Sequence, residues 1–391
     1  MEKVKVLHLY DNYLPKSQQW NFNLISQLNT FNYIAAPFYS NSELFLKWPF
    51  LKYRGDKDLG IDLNEKWAVR NFLSKSRNRW RRLWNTWGAS LSSYINLVKP
   101  DIIHVHFAST AFENLATLHK AKIPVIVSFY GWDYEAYFRK KSVGQSGMNA
   151  IFTLASAIAV EGPFGKNKLI AIGAEPKKIF EIPLGIVIEP QTRLSFRNVT
   201  KEFKLVQVAN FEMKKGHTDT VKAFHLALKS DTNLHLTLVG DGPEKEKVKK
   251  YIEVLGIEDY INMMESVEYG GLSHFLRQFD AFIHPSVTTS EGDCEGGSPT
   301  VLFDAMYAGL PILSTYHCDI PNVVTHGINS LLCLEGDSSA LANNILQLAH
   351  LPTVELERFR QNAFSNVCSR FDISQNAKRL EELYVEILKN N

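Results

Sequence analysis

Residues 281–314 read AFIHPSVTTSEGDCEGGSPTVLFDAMYAGLPILS. Two short apolar runs, Ala281–His284 and Pro311–Ser314, bracket a polar glycine-rich loop and a helical stretch over Thr300–Ala308. Two strands joined through a helix run parallel, since an antiparallel pair needs only a hairpin. The helix boundaries are marked: Ser298 suits the N-cap, Pro299 the first turn and Gly309 the position just past the end.

The same alternation extends in both directions. Upstream runs are Val4–Leu9, Tyr33–Pro37, Asp101–Phe107, Pro124–Phe129, Ala157–Val160 and Ile179–Pro183. Nearer the loop come Leu205–Val208, Leu234–Val239 and Ile261–Met264, and beyond it Ser330–Leu334. Strands separated by helical segments predict α/β architecture with parallel sheets covered on both faces. The 391 residues suffice for two doubly wound, Rossmann-like domains facing a central cleft. Residues 189–204 are polar, contain Pro190 and lack a period, so they are the predicted linker. This gives an N-terminal domain over 1–188 and a C-terminal domain over 205–372.

Apolar residues make up 45% and charged residues 21%, which excludes a disordered or coiled-coil chain. The longest clean apolar stretch, about Ala150 to Val160, falls short of the roughly 20 residues a membrane helix needs. The first ten residues, MEKVKVLHLY, lack the features of a signal peptide. The four cysteines, Cys294, Cys318, Cys333 and Cys368, show no CxxC spacing. Reduced thiols and a cytoplasmic location are therefore expected. Residues 1–190 carry 24 Lys and Arg against 15 Asp and Glu; residues 191–391 carry 19 against 26. Two halves of opposite sign predict two domains with different partners. Nucleic acid is not expected among them, because net charge is only +2 and no recognition motif is visible.

In doubly wound sheets ligands bind beyond the carboxyl ends of strands. The start of the helix after Ser298 presents free N–H groups suited to a phosphate or diphosphate. Gly296 and Gly297 allow close backbone approach. Glu295 suits sugar hydroxyls, which donate to a carboxylate, and Asp304 suits the vicinal hydroxyls of a ribose. Lys215, just before a helix start, suits a diphosphate, and Asn210 begins the same loop. Gly240 opens a Gly-Asp-Gly-Pro turn after a strand. No GxGxxG or GxxxxGK[ST] motif occurs, which argues against a dinucleotide oxidoreductase or a P-loop NTPase.

As a set, Lys215-Gly216, Gly240-Asp241-Gly242-Pro243-Glu244, His284-Pro285-Ser286 and Glu295–Ala305 (EGGSPTVLFDA) resemble the retaining glycosyltransferases of family four, above all those of bacterial exopolysaccharide and capsule pathways. The first half resembles them more loosely, at Leu14–Ser17, Asp101–Ala108, Ser128–Asp133 and Gly173–Ile188. The resemblance implies a GT-B fold in which the first domain binds the acceptor and the second a nucleotide-diphosphate-sugar, UDP- or GDP-linked. A C-terminal helix over about 373–391 is expected to pack back on the first domain. The implied reaction is transfer of the sugar, with retention, to a hydroxyl of a glycan or lipid-linked acceptor. Glu295 and Lys215 are then catalytic, while Asn210, Gly240, Gly296, Gly297, Ser298, Pro299, Thr300 and Asp304 bind the donor. Neither a DxD motif after a strand nor a His/Cys cluster with ligand spacing is seen, so no metal and no cofactor are expected. The chain departs from the family pattern where Asn210 replaces Arg, Tyr130 replaces His and Asp304 replaces Glu. A GT-B epimerase or hydrolase acting on its donor, or an idle sugar-nucleotide-binding protein, is the alternative.

On the acceptor side stand His106 at a strand end, Tyr130, and Trp132-Asp133 in a loop. His104 shares the sheet face of His106, and packing competes with binding for both, as it does for Trp132. Residues 75–91 place Trp80, Leu83, Trp84, Trp87 and Leu91 on one helical face, with Lys75, Arg77, Arg79, Arg81 and Arg82 around it. Such a helix either lies on an anionic membrane, making the protein peripheral on the inner face, or docks its Trp face into the core.

Overall fold

The computed structural model describes residues 3–13, 19–36, 38–39, 50–54, 58–62, 91–137, 143–189 and 202–390. Leu14–Ser17, most of the predicted linker and the basic Trp-rich stretch up to residue 90 lie outside the described residues. The chain forms two compact units, Met1–Leu184 with Ile373–Asn391, and Gly185–Asp372.

The first unit is built on an eight-stranded sheet. Its strands are β1 (Lys5–Leu9), β3 (Phe31–Ala36), β5 (Phe50–Arg54), β6 (Asp58–Asp62), β7 (Ile102–His106), β8 (Val125–Phe129), β9 (Ala157–Val160) and β10 (Ile179–Glu181). The order is β10-β9-β8-β7-β1-β3-β5-β6. All neighbours pair in parallel except β5 with β6, an antiparallel edge. β2 (Asn12–Tyr13) and β4 (Phe38–Tyr39) form a separate small ladder. Every residue of β7, β8 and β9 is buried, which is why these strands read as unbroken apolar runs and not as alternation. The last two strands of the order, β5 and β6, escape sequence inspection because FLKYR and DLGID are short and charged.

One face of this sheet is covered by the helices Gln19–Gln27 and Ile373–Lys389. The latter buries Ile373, Ala377, Leu380, Leu383, Tyr384 and Ile387 against Val6, Ile34, Ile102 and Ile126. Their spacing of three, four and seven residues is a helical stripe. Truncating Leu380 to Ala there should cost about 2–5 kcal/mol. Asn376 Nδ2 also donates to Leu184 O at 3.4 Å.

The second unit has a six-stranded, wholly parallel sheet of β11 (Phe203–Val208), β12 (Leu234–Val239), β13 (Ile261–Met264), β14 (Ala281–His284), β15 (Ile312–Thr315) and β16 (Ser330–Cys333). The order is β13-β12-β11-β14-β15-β16. Both units are thus doubly wound, as the strand–helix alternation predicts. In each, strand order reverses once beside the first strand: between β1 and β7, and between β11 and β14. Beyond the carboxyl ends at such a reversal, successive loops diverge and leave room for a ligand.

Candidate functional site

At the reversal of the second unit three loops meet, and glycine lets them meet. Gly216 has φ +68°, and a Cβ there would lie 2.0 Å from Pro285 O. Gly240 has φ +143°, and its Cβ would lie 2.0 Å from Ala209 O. Any side chain at either position would drive apart the loops after β11, β12 and β14.

The packing brings two sequence-predicted residues together across 80 positions. Lys215 Nζ donates to Glu295 Oε2 at 2.6 Å, with side-chain exposures of 18% and 7%. Ser286 Oγ donates to Glu295 Oε1 at 2.9 Å, and His284 Nε2 lies 3.5 Å from the same oxygen. Burial works to raise the Glu295 carboxyl, but the Lys215 ammonium and His284 outweigh it and hold it well below the ordinary carboxylate range. Lys214 lies alongside, 3.3 Å from Asp293. Burial opposes its charge, yet Glu295, Asp293 and Glu212 together raise it.

Backbone contacts fix where Glu295 sits. Its N–H donates to His317 Nε2 at 3.0 Å, and the Gly296 N–H donates to Cys318 Sγ at 3.3 Å. His317 Nδ1 lies 2.6 Å from Glu335 Oε1. Gly297 O accepts the Asp319 N–H at 3.3 Å. Thr315 Oγ1 donates to Ser286 O at 2.5 Å, and Ser314 Oγ to His284 O at 2.6 Å. The acid loop is therefore anchored by the end of β15, which the sequence reading left out.

The following helix starts later than predicted. It runs Val301–Tyr307 with Thr300, not Ser298, at the N-cap. Leu302 N–H bonds to Pro299 O and Phe303 N–H to Thr300 O, both at 3.0 Å. Pro299 and Thr300 thus form a tight entry turn that satisfies these donors through the backbone, so no side-chain cap is needed. Ser298 Oγ is buried without a hydrogen-bond partner among the described residues. Gly309 does follow the C-cap, at φ +80°. Asp304 lies in the first helical turn, and burial raises its carboxyl to about 7. Asn210 is exposed at the end of the β11 strand and Gly240 is buried after β12.

The reversal of the first unit holds the other predicted residues. His106 ends β7 and is fully buried. Its Nε2 lies 3.1 Å from His8 Nδ1, its Nδ1 2.9 Å from Tyr130 Oη, and its ring stacks on Tyr10 at 4.2 Å. His104 bonds Tyr384 Oη and Ser128 Oγ, each at 2.7 Å. Burial lowers His8 to about 4 and holds His104 and His106 well below their usual range, so all three are neutral. Asp133 is turned inward. Its Oδ2 accepts the Tyr130 N–H at 3.0 Å. Burial raises it to about 7 against the stabilising N–H groups of Tyr130, Ala108 and Ser109. Tyr130 is buried as well, whereas Trp132 is 37% exposed and its ring lies tilted at 43° to Tyr137, centroids 4.9 Å apart; Trp132 and Asp133 are helical and not in the predicted loop.

Among the described residues, two groups of possible metal ligands assemble that linear spacing hides: His8 with His104 and His106, and Cys294 with His317 and Cys318. In each, the ligand atoms lie within 4.8 Å of one another. His284, Ser286, His317 and Glu335 were missed as site residues. The available signal was position, since His284 ends β14 and His317 follows β15 by two residues.

Residues 53–189 match the family described as Glycosyltransferase Family 4, and residues 190–366 match Glycosyl transferases group 1. The amylovoran biosynthesis glycosyltransferase AmsK of Erwinia amylovora is 31% identical over 186 residues, covering 47% of this chain and 45% of that protein. The putative colanic acid biosynthesis glycosyltransferase WcaL of Salmonella typhimurium is 28% identical over 206 residues, covering 53% and 50%. The chain thus aligns with about half the length of these curated relatives. The crystal structure of Anabaena Alr3699/HepE in complex with UDP and glucose shares the fold, with a TM-score of 0.72 at 15% identity, over 97% of this chain and 99% of that one. Two consecutive family matches running from residue 53 to residue 366, on two doubly wound units of GT-B type, place this chain among the family-four glycosyltransferases.

Proposed function

We propose that the protein transfers a sugar from a nucleotide-diphosphate-sugar to a hydroxyl of a glycan or lipid-linked acceptor, with retention, during surface-polysaccharide assembly at the inner face of the cell membrane. The observation that carries this reading is the buried Lys215–Glu295 pair at the strand-order reversal. Breaking an anomeric C–O bond makes the sugar cationic and the departing diphosphate anionic, so placing charge is the main catalytic task. Lys215 neutralises the diphosphate, and the N–H groups around Thr300 assist. Glu295 accepts from hydroxyls of the donor sugar and faces its developing positive charge. Asp304 accepts from the ribose; donated hydroxyls favour its ionised form and lower it from about 7. Side chains carry the leaving-group charge in this scheme, so no metal ion is required. The bound UDP of HepE favours UDP over GDP as the carrier.

In the first unit Trp132, exposed on the helical turn after β8, is the aromatic surface for an acceptor sugar. The basic stretch 75–91 attaches the protein to anionic lipid. Vesicle co-sedimentation tests this: changing Arg77, Arg79, Arg81 and Arg82 to Ser should abolish binding, and equal binding of both forms rejects it. The reaction is tested with purified protein, UDP- and GDP-sugars and lipid-linked glycan acceptors, reading the anomeric configuration of the product by NMR. A product with inverted configuration rejects retention. Epimer or free sugar formed from donor alone, without transfer, rejects the reading altogether.

A further inference from the structure

We infer that Cys294, His317 and Cys318 form a binding site for a thiophilic divalent cation of the zinc type, built into the anchor of the acid loop. Their three ligand atoms lie within 4.8 Å of one another, with Cys294 and His317 buried and Cys318 half-buried.

The imidazole is prepared for such a role. His317 Nδ1 lies 2.6 Å from Glu335 Oε1, and Glu335 Oε2 accepts the Thr288 N–H at 2.7 Å. A carboxylate facing Nδ1 places the ring proton there and leaves the lone pair on Nε2. This carboxylate–histidine arrangement orients imidazoles that bind metals. That nitrogen, which accepts the Glu295 N–H, also lies 3.2 Å from Cys318 Sγ. Cys318 itself sits at φ +44°, a left-handed conformation uncommon for a side chain larger than glycine or asparagine. That backbone turns its thiol back beside His317. Held strain of this kind clusters at functional positions.

Two sulfurs and one imidazole nitrogen suit a tetrahedral cation of borderline softness, with a fourth position for water or an outside ligand. Magnesium and calcium, which take oxygen ligands, do not match the set. Binding forms two S–metal bonds and one N–metal bond, and each thiol gives its proton to solvent. The histidine cluster of the first unit differs in its donor set: it offers three imidazoles and no sulfur, and its ring nitrogens face Asn32, Ser128, Tyr130, Tyr384 or a neighbouring histidine.

Occupancy has a mechanical consequence. The Glu295 N–H ends on His317 Nε2 and the Gly296 N–H on Cys318 Sγ. A cation that takes the Nε2 lone pair removes the acceptor that holds residue 295. Inhibition of transfer by the cation follows; this consequence rests on the donor-site reading above, while binding itself does not.

The test uses the full chain, purified under reduction, stripped of metal by a chelator and titrated with Co²⁺. The expected result is a thiolate-to-cobalt charge-transfer band that saturates at one equivalent and is displaced by Zn²⁺. Losing an outer-shell partner costs ten- to a hundredfold in affinity, so Cys294→Ser or Cys318→Ser should weaken binding by more than about 100-fold. Cys333→Ser and Cys368→Ser should leave the band intact. In the unmutated protein Zn²⁺ should shield the half-buried Cys318 from alkylation, a readout independent of how the variants fold. No thiolate band, a band that persists in both variants, or a Cys294–Cys318 disulfide formed in place of cation uptake overturns the proposal. A protein that binds Co²⁺ this way but transfers no sugar would reject the functional reading and leave the cation site standing.

Discussion

At the strand-order reversal of the first unit, His8, His104 and His106 stack between β1 and β7, neutral and hydrogen-bonded to one another and to tyrosine, serine and asparagine. At the matching reversal of the second unit, Lys215 and Glu295 meet at 2.6 Å with both charges kept. Topology makes the two places equivalent, and the chemistry is opposite. The first is a closed polar network whose members satisfy one another, so it behaves as core. The second holds an ion pair under 20% exposed, in which each partner depends on the other against desolvation. An equivalent position in a sheet therefore does not imply an equivalent role; the balance of charge over satisfied hydrogen bonds separates the two.

The ion pair gives the largest expected effects. Glu295→Gln keeps the shape and removes the charge; transfer should fall at least ~100-fold, measured as initial rate in the folded protein. Wild-type turnover would remove Glu295 from the mechanism. The loop's polarity suggests that truncation at this position leaves folding intact, but the burial of the pair argues otherwise. Glu295→Ala strands the Lys215 ammonium and should destabilise the second unit by about 3–5 kcal/mol, read by denaturant unfolding. Adding Lys215→Met to Glu295→Gln should restore most of the stability without restoring activity.

Acid should break the other network. A histidine held neutral by burial stabilises fully above its unfolded value of 6.5. That contribution is lost as pH falls through the folded value, about 4 for His8. His8 alone then accounts for roughly 3 kcal/mol between pH 6.5 and 4. Glu295, whose carboxyl is held low, loses its contribution only below about pH 4.5. Acidification below pH 6.5 should therefore weaken the first unit, followed by tryptophan fluorescence and hydrogen exchange; burial holds His217 at about 3 and lowers His284, so the second unit carries a histidine dependence of its own. His8→Asn should flatten the loss in the first unit, and an unchanged acid profile would contradict the neutral network.

Lys215→Ala should weaken UDP binding by about 1.5–3 kcal/mol, roughly 10- to 150-fold by calorimetry, because Asn210 supplies no second cation. Unchanged affinity would place the diphosphate elsewhere. The smallest expected change is no loss: excess EDTA should not lower the transfer rate, and loss of activity restored by a divalent ion would reject side-chain neutralisation of the leaving group.

The sequence makes the alternating framework legible because parallel strands buried on both faces are continuous apolar runs. β7, β8, β9, β12 and β14 coincide with such runs to within a residue or two. β5 and β6 are not legible, since the charges in FLKYR and DLGID break any apolar run. Lys215 and Glu295 are legible through glycine-rich loops after strands. Ser298 misleads because N-cap preference is local, whereas the helix begins at Val301, where the carbonyls of Pro299 and Thr300 accept the N–H groups of Leu302 and Phe303. Asp133 reads as a free carboxylate in a polar loop, yet it folds back onto the N–H of Tyr130.

The sequence by itself determined the two doubly wound halves, the glycines that let loops meet and the acids and lysine that could hold charge. All of these follow from period, turn chemistry and residue type, which are properties of short stretches. Only the tertiary structure decided which of them meet. Glu295 finds Lys215 across 80 positions, and Cys294 finds His317 and Cys318 across a strand and a helix. Such pairings depend on strand order and on loop ends brought within a few ångströms. The physical reason is that charge and coordination act over distances in space, and separation along the chain does not report them.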